Sequence, residues 1–124
     1  MKYHPLVTDT ADPGDLSSEY RAAREIGKIR LGELHLFMRS GRKTYYIPYR
    51  DVRRCFRRVQ LVNARMRGGQ PLQIENLVVC GDAGELMQVQ LPGSQAAVGL
   101  LEELRERIPE AEFSKPGAPA QKNG

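Results

Sequence analysis

Asp51-Val52-Arg53-Arg54-Cys55-Phe56-Arg57-Arg58-Val59-Gln60-Leu61-Val62-Asn63-Ala64-Arg65-Met66 is the stretch on which the fold turns. Val52, Cys55, Phe56, Val59, Val62 and Met66 recur at i, i+3, i+4, i+7, the spacing of an amphipathic helix, with Asp51 as its cap. Read as a strand, the same residues put Val52, Arg54, Phe56 and Arg58 on one face, where burial of unpaired arginines is costly. A strand from about Arg53 to Val62 places Cys55, Val59 and Leu61 on the other face, with Arg57 extending its charge to the edge. Pattern alone leaves both readings open.

On either side the signals are clearer. Upstream, Ile29 and Leu31 form a first strand, Gly32-Glu33 a tight turn, and Leu34, Leu36 and Met38 a second strand. Ser40-Gly41-Arg42-Lys43 turns into Thr44-Tyr45-Tyr46-Ile47, rich in β-branched and aromatic residues, and Pro48 ends it because proline cannot donate to a ladder. Before them, Asp12-Pro13 predicts the start of a short helix through about Glu25, with Leu16, Tyr20 and Ala23 on one face and Gly27 as its breaker. Downstream, Leu72 to Cys80 is an apolar strand with a bulge expected near Asn76. Gly81-Asp82-Ala83-Gly84 leads into Leu86–Leu91, where Met87, Val89 and Leu91 face inward. Ser94 is expected to cap a helix whose Ala97, Val98, Leu101, Leu104 and Ile108 make one stripe before Pro109.

Successive strands, the segment Ile47-Pro48-Tyr49-Arg50-Asp51-Val52 and a closing amphipathic helix together resemble the pleckstrin-homology-like superfamily in its bacterial and GRAM-like versions. The resemblance rests also on Gly27-Lys28-Ile29-Arg30-Leu31, on Glu33-Leu34-His35-Leu36-Phe37 and on Ser94 to Ile108. It covers residues 26–108, about two thirds of the chain. It implies that 51–62 is a strand and that the fold is mainly β: a barrel of two roughly orthogonal antiparallel sheets capped by the C-terminal helix, to which the short N-terminal helix read from Asp12-Pro13 is added. It implies a binding or scaffold role and argues against inositol-phosphate binding in the familiar mode, because Leu31-Gly32-Glu33-Leu34 is a short, acidic connection. The expected organisation is a flexible arm over 1–12, one domain over 13–110 and a disordered tail over 111–124.

Composition fits this size. The chain has 124 residues, 40% hydrophobic and 27% charged, enough for one modest core. Cys55 and Cys80 lie in apolar runs, as reduced intracellular thiols do. The N-terminus lacks the apolar run of about 7–15 residues found in signal peptides, which predicts a soluble, cytoplasmic protein. The net charge of +4 conceals a segregation. Arg39, Arg42, Lys43, Arg50, Arg53, Arg54, Arg57, Arg58, Arg65 and Arg67 crowd residues 39–67 against Asp51 alone, whereas residues 73–112 are acidic apart from Arg105 and Arg107.

His4 and His35 are too isolated for a triad or a zinc site, and Arg67-Gly68-Gly69-Gln70 lacks the context of a phosphate loop, so no catalytic residue, metal or cofactor is expected. The candidate site is the basic stretch. Arg50, Arg53, Arg54, Arg57 and Arg58 can engage carboxylates or phosphates in bidentate fashion, with Tyr45, Tyr46, Tyr49 and Phe56 near in sequence for stacking. The expectation is a non-enzymatic module that docks on an acidic protein surface or on a second copy of itself. The alternative is nucleic-acid or anionic-lipid binding through the same arginines. A third reading makes them a solvated edge, or partners of the chain's own acidic half.

Overall fold

A computed structural model describes residues 2–8, 11–63 and 71–114 of the chain. In order the elements are β1 (Tyr3–Pro5), α1 (Pro13–Ala22), β2 (Arg24–Ile26), β3 (Ile29–Leu31), β4 (His35–Ser40), β5 (Lys43–Pro48), a 3-10 turn (Tyr49–Asp51), β6 (Arg54–Asn63), β7 (Pro71–Gly81), β8 (Gly84–Gln90) and α2 (Ser94–Arg107). The deciding stretch is a strand: β6 pairs antiparallel with β7 from Arg54↔Cys80 to Asn63↔Pro71. The strand satisfies both faces where a helix satisfies one. Cys55, Leu77 and Val79 are buried toward the core, and Phe56, Val78 and Cys80 form a separate buried cluster on the outer face. Met66 lies outside the described residues.

The fold is mostly β, with two sheets and a C-terminal helix. The first sheet has the order β1-β5-β4-β3-β2 and the second β6-β7-β8. β1 runs parallel to β5, the other strand pairs within the sheets are antiparallel, and an isolated bridge joins Arg54 in parallel to Glu112. The main core lies between the sheets and under α2. Ile29, Leu31, Leu36, Met38 and Ile47 come from the first sheet, Cys55, Leu77, Val79 and Val89 from the second, and Ala97, Leu100, Leu104 and Ile108 from the helix and its end. The other face of the first sheet is covered too, since Leu16 and Tyr20 of α1 pack on Phe37 and Tyr46. That double cover explains why His35–Met38 is buried residue after residue.

The expected closed barrel does not form; the two sheets stay separate. After Pro48 the chain makes its 3-10 turn instead of continuing a ladder into β6. The outer edge of β6 is met by the segment after α2: Cys55 N–H donates to the Glu112 carbonyl at 2.9 Å, and Glu112 N–H to the Arg53 carbonyl at 2.9 Å. A strand closing a barrel there would need those same groups.

Several local expectations are corrected. Tyr3–Pro5, assigned to a flexible arm, is strand β1, because Tyr3 packs on Tyr20 and Phe37. The helix expected to reach Glu25 ends at Ala22, and Arg24–Ile26 becomes a strand paired with β3. The bulge falls at Val79/Cys80 rather than near Asn76. The N-cap of α2 is Gly93, with no capping side chain, so Ser94 is its first helical residue. Leu100 takes the buried place expected for Val98, which is 45% exposed. At the C-terminal end, residues 111–114 are held against β6 and the core, with Ala111 and Phe113 partly buried, whereas 115–124 lie outside the described residues.

Candidate functional site

Alternation along β6 separates the arginines that sequence places together. Arg54 and Arg58 share the outer face with Phe56, Arg57 points to the opposite face, and Arg53 precedes the strand. Each finds a carboxylate in the acidic second half of the chain. Arg53 Nε donates to Asp82 Oδ1 at 2.6 Å, and Arg54 Nη2 lies 2.7 Å from Glu112 Oε1. Arg57 grips Glu75 in bidentate fashion, Nε to Oε1 at 2.9 Å and Nη2 to Oε2 at 2.8 Å. Arg58 reaches across β7 to β8, to both oxygens of Glu85, at 3.0 and 3.2 Å, and to Gln88 Oε1 at 2.6 Å. Its guanidinium lies 5.6 Å from the Phe56 ring centroid, covering the small outer cluster of Phe56, Val78 and Cys80. Arg50 sits exposed on the 3-10 turn, where its carbonyl accepts from Arg53 Nη1 at 2.8 Å.

The aromatic platform expected beside them is not assembled. Tyr46 and Phe56 are buried, and Tyr45 is half-buried with its ring 5.4 Å from that of His4. Tyr49 is inside the molecule, its hydroxyl donating to the Gly32 carbonyl at 2.6 Å. Burial pushes its pKa up to about 12, with Arg107 pulling the other way. Arg65 and Arg67 fall outside the described residues.

Glu75 shows what the pairing does. Its side chain is only 2% exposed, yet it is covered by Arg57 and Gln73 rather than set deep in the core. The Arg57 hydrogen bonds hold its carboxyl below the ordinary value, against the upward push of burial and with help from Gln73. A carboxyl lowered on folding contributes stability above its unfolded pKa of about 4.3, and loses it as pH falls through the folded value. Arg57→Ala is therefore expected to cost about 1–2 kcal/mol near neutral pH, by urea unfolding. The difference from wild type should vanish at acid pH; a gap that persists there would mean Arg57 acts by packing alone.

Two surface features stand out, the first missed by the arginine reading and the second lying largely within its basic stretch 39–67. The first is the free end of the β6–β7 ribbon. β8 pairs with β7 only from Asn76 onward, so residues 59–63 and 71–74 project as two strands beyond the third. On them Val59 is 41% exposed, Leu61 70%, Val62 44% and Leu72 51%. Val59 and Leu61 lie on the core-side face, and Val62 and Leu72 on the outer face, past the reach of α2 and the first sheet. The signal was legible as Val59-Gln60-Leu61-Val62, an uncharged β-rich run. The second is one end of the first sheet, where Lys28, Arg39, Arg42 and Lys43 come together. Arg39 N–H donates to the Lys28 carbonyl at 2.9 Å, and Ser40 pairs with Lys43. All four are exposed and form no ion pair among the described residues.

An open groove of about 710 Å³ beside α1 is lined in part by Glu19, Arg24, Glu33, Leu34 and Arg107. Most of its ionisable groups are engaged: Glu19 holds His35 Nδ1 at 2.7 Å, and Arg24 and Arg107 bind Glu103 at 2.7 and 3.0 Å. Among the described residues no group of His, Cys, Asp and Glu has a metal-binding arrangement. No helix is long and apolar enough to cross a membrane. No family model, no curated protein and no solved structure matches this chain.

Proposed function

We propose that this protein is a non-enzymatic docking or scaffold module of pleckstrin-homology-like architecture, and that it engages another protein surface through the free end of the β6–β7 ribbon. The observation that carries the reading is the projection of Val59, Leu61, Val62 and Leu72 beyond β8, with Leu61 70% exposed. Four of the large apolar side chains exposed on the described residues gather on this one short ribbon, and a two-stranded ribbon is marginal in water without something packed on it. The architecture accords with the succession of antiparallel β2–β5, then β6–β8, then α2. A reducing cytoplasmic setting accords with Cys55 and Cys80 as buried free thiols. Arg53, Arg54, Arg57 and Arg58 enter this reading as supports of the second sheet. Docking them on an acidic partner means exchanging carboxylates they already hold.

The second reading, nucleic-acid or anionic-lipid binding, is favoured by one observation: the unneutralised end of the first sheet at Lys28, Arg39, Arg42 and Lys43. Phosphate contacts there would make log affinity fall with log salt by about 0.9 per phosphate neutralised on duplex DNA. A photo-crosslinker placed at Leu61, with a control at the exposed Glu102 of α2, separates the two in lysate. Discrete protein adducts from position 61 alone are expected, with no retention of oligonucleotides or anionic vesicles at physiological salt. Retention of either, steeply salt-dependent and lost on changing Arg39, Arg42 and Lys43 to Glu, would replace the docking reading by the second.

A further inference from the structure

Among the described residues, nothing pairs with the outer edge of β6 where its apolar residues lie. Among the described residues its only partner on that side is Glu112, at Arg53–Cys55. From Arg57 to Asn63 no described backbone group pairs with that edge. Natural edge strands are blunted by lysines, proline or bulges. Here residues 59–62 read Val-Gln-Leu-Val, with β-favouring side chains and no charge, and the pairing of β6 with β7 runs to Asn63 without a bulge.

We infer that this edge is the site of self-association, in which β6 of one copy pairs antiparallel with β6 of a second copy about a two-fold axis at Gln60. The inference rests on the docking reading and names its partner. Register follows from what the edge leaves free. Glu112 closes the strand at Cys55 and β6 ends at Asn63, so the open run is 57–63 and its midpoint is Gln60. Centred there, Arg57 faces the partner's Asn63, Val59 the partner's Leu61, and Gln60 its own counterpart. Directly opposed residues share a face in an antiparallel ladder. Val59 and Leu61 therefore meet twice on the core-side face, where their exposure is otherwise unexplained.

Charge selects the second copy as occupant. Beside the edge, Arg57 and Arg58 are neutralised within the chain by Glu75 and Glu85. The described ribbon therefore offers an acidic strand or a polyanion no net positive field, and an identical ribbon meets no like charge across the axis. Seven paired residues with two apolar contacts make a small interface, in the class burying less than about 1,200 Å² in total, so the dimer is expected to be weak and concentration-dependent.

Sedimentation of the full chain over a concentration series tests this. Wild type is expected to pass from monomer to dimer. Val59→Lys and Leu61→Lys are expected to raise the dissociation constant about tenfold or more, the equivalent of about 1.4 kcal/mol, with circular dichroism unchanged. Val98→Lys, an exposed apolar position on α2, is expected to dimerise like wild type. Register has its own readout. Opposed Cα atoms in such a ladder lie about 4.5–5.5 Å apart, within disulfide reach, so Gln60→Cys is expected to give a covalent dimer under copper–phenanthroline oxidation. Gln73→Cys, one strand away, should not; the native thiols are buried and do not compete. A wild-type chain that stays monomeric, a dimer indifferent to the edge lysines, or equal cross-linking at positions 60 and 73 overturns the inference. A monomer whose position 61 still cross-links a different protein overturns the second copy while leaving the docking reading standing.

Discussion

Leu104→Ala is expected to lower stability by about 2–5 kcal/mol, the range for truncating a fully buried leucine that neighbours cannot collapse around. Leu104 has no exposed surface and lies in the main core with Ala97, Leu100 and Ile108, between α2 and the two sheets. For a chain of 124 residues such a loss corresponds to a fall in Tm of about 8–20 °C. Val98→Ala, one turn and a half away, is the informative comparison. Val98 is 45% exposed, so its truncation is expected to fall within about 0.5 kcal/mol. Leu100→Ala should behave like Leu104→Ala. If Val98 proved as costly as Leu100, α2 would bury the stripe that periodicity suggests instead of Ala97, Leu100 and Leu104.

The second large effect is expected at Glu19, where a single carboxylate fastens α1 to the first sheet. Its Oε2 accepts from the backbone N–H of Leu34 at 2.7 Å and of His35 at 2.8 Å, and its Oε1 lies 2.7 Å from His35 Nδ1. The side chains of Glu19 and His35 are only 14% and 10% exposed, so water replaces these bonds poorly. Glu19→Ala strands two backbone donors and the imidazole, each worth about 1–3 kcal/mol when left unsatisfied. With part of that recovered by water entering the adjoining groove, the net loss is expected to be about 2–4 kcal/mol. Glu19→Gln keeps one acceptor and should lose less. Hydrogen exchange at Leu34 and His35 should quicken in the alanine variant before that of residues 36–40 of β4. An Ala variant within about 0.5 kcal/mol of wild type would mean α1 is held by Leu16 and Tyr20 alone.

How much was legible can be followed through β6. Its arginines were read as a cluster because they are adjacent in sequence, and they are a cluster only if that segment is a helix or a loop. As a strand, alternation throws Arg57 to the face opposite Arg54 and Arg58. The argument against a strand was the cost of unpaired arginines, and it failed because the carboxylates arrive from β7, β8 and the segment after α2. These partners are 18 residues away for Glu75 and 27 for Glu85. The segregation of charge between the halves was visible in composition, and it is the trace of that pairing. Which acid meets which base depended on register, which local sequence does not encode.

His35 shows the same division. Its place inside a strand followed from Leu34 and Leu36 around it, whereas its partner Glu19 comes from a helix whose approach depends on Phe37 and Tyr46 being buried on that face. Tyr49, expected at a binding surface, turned inward because the 3-10 turn after Pro48 brings its hydroxyl to the Gly32 carbonyl.

The sequence by itself determined the sequential order of most elements, the turns at Gly41 and Gly84, the apolar strands and the closing helix, because backbone propensity and hydrophobic period act over a few residues at a time. For 54–63 the residue pattern left helix and strand open and the resemblance favoured a strand; only the tertiary structure decided that its arginines serve the second sheet, that the sheets remain open, and that the exposed apolar surface gathers at the end of the ribbon. Those outcomes depend on contacts between distant segments: Glu75 and Glu85 meeting β6, Glu112 taking its edge, and β8 stopping short of residues 71–74.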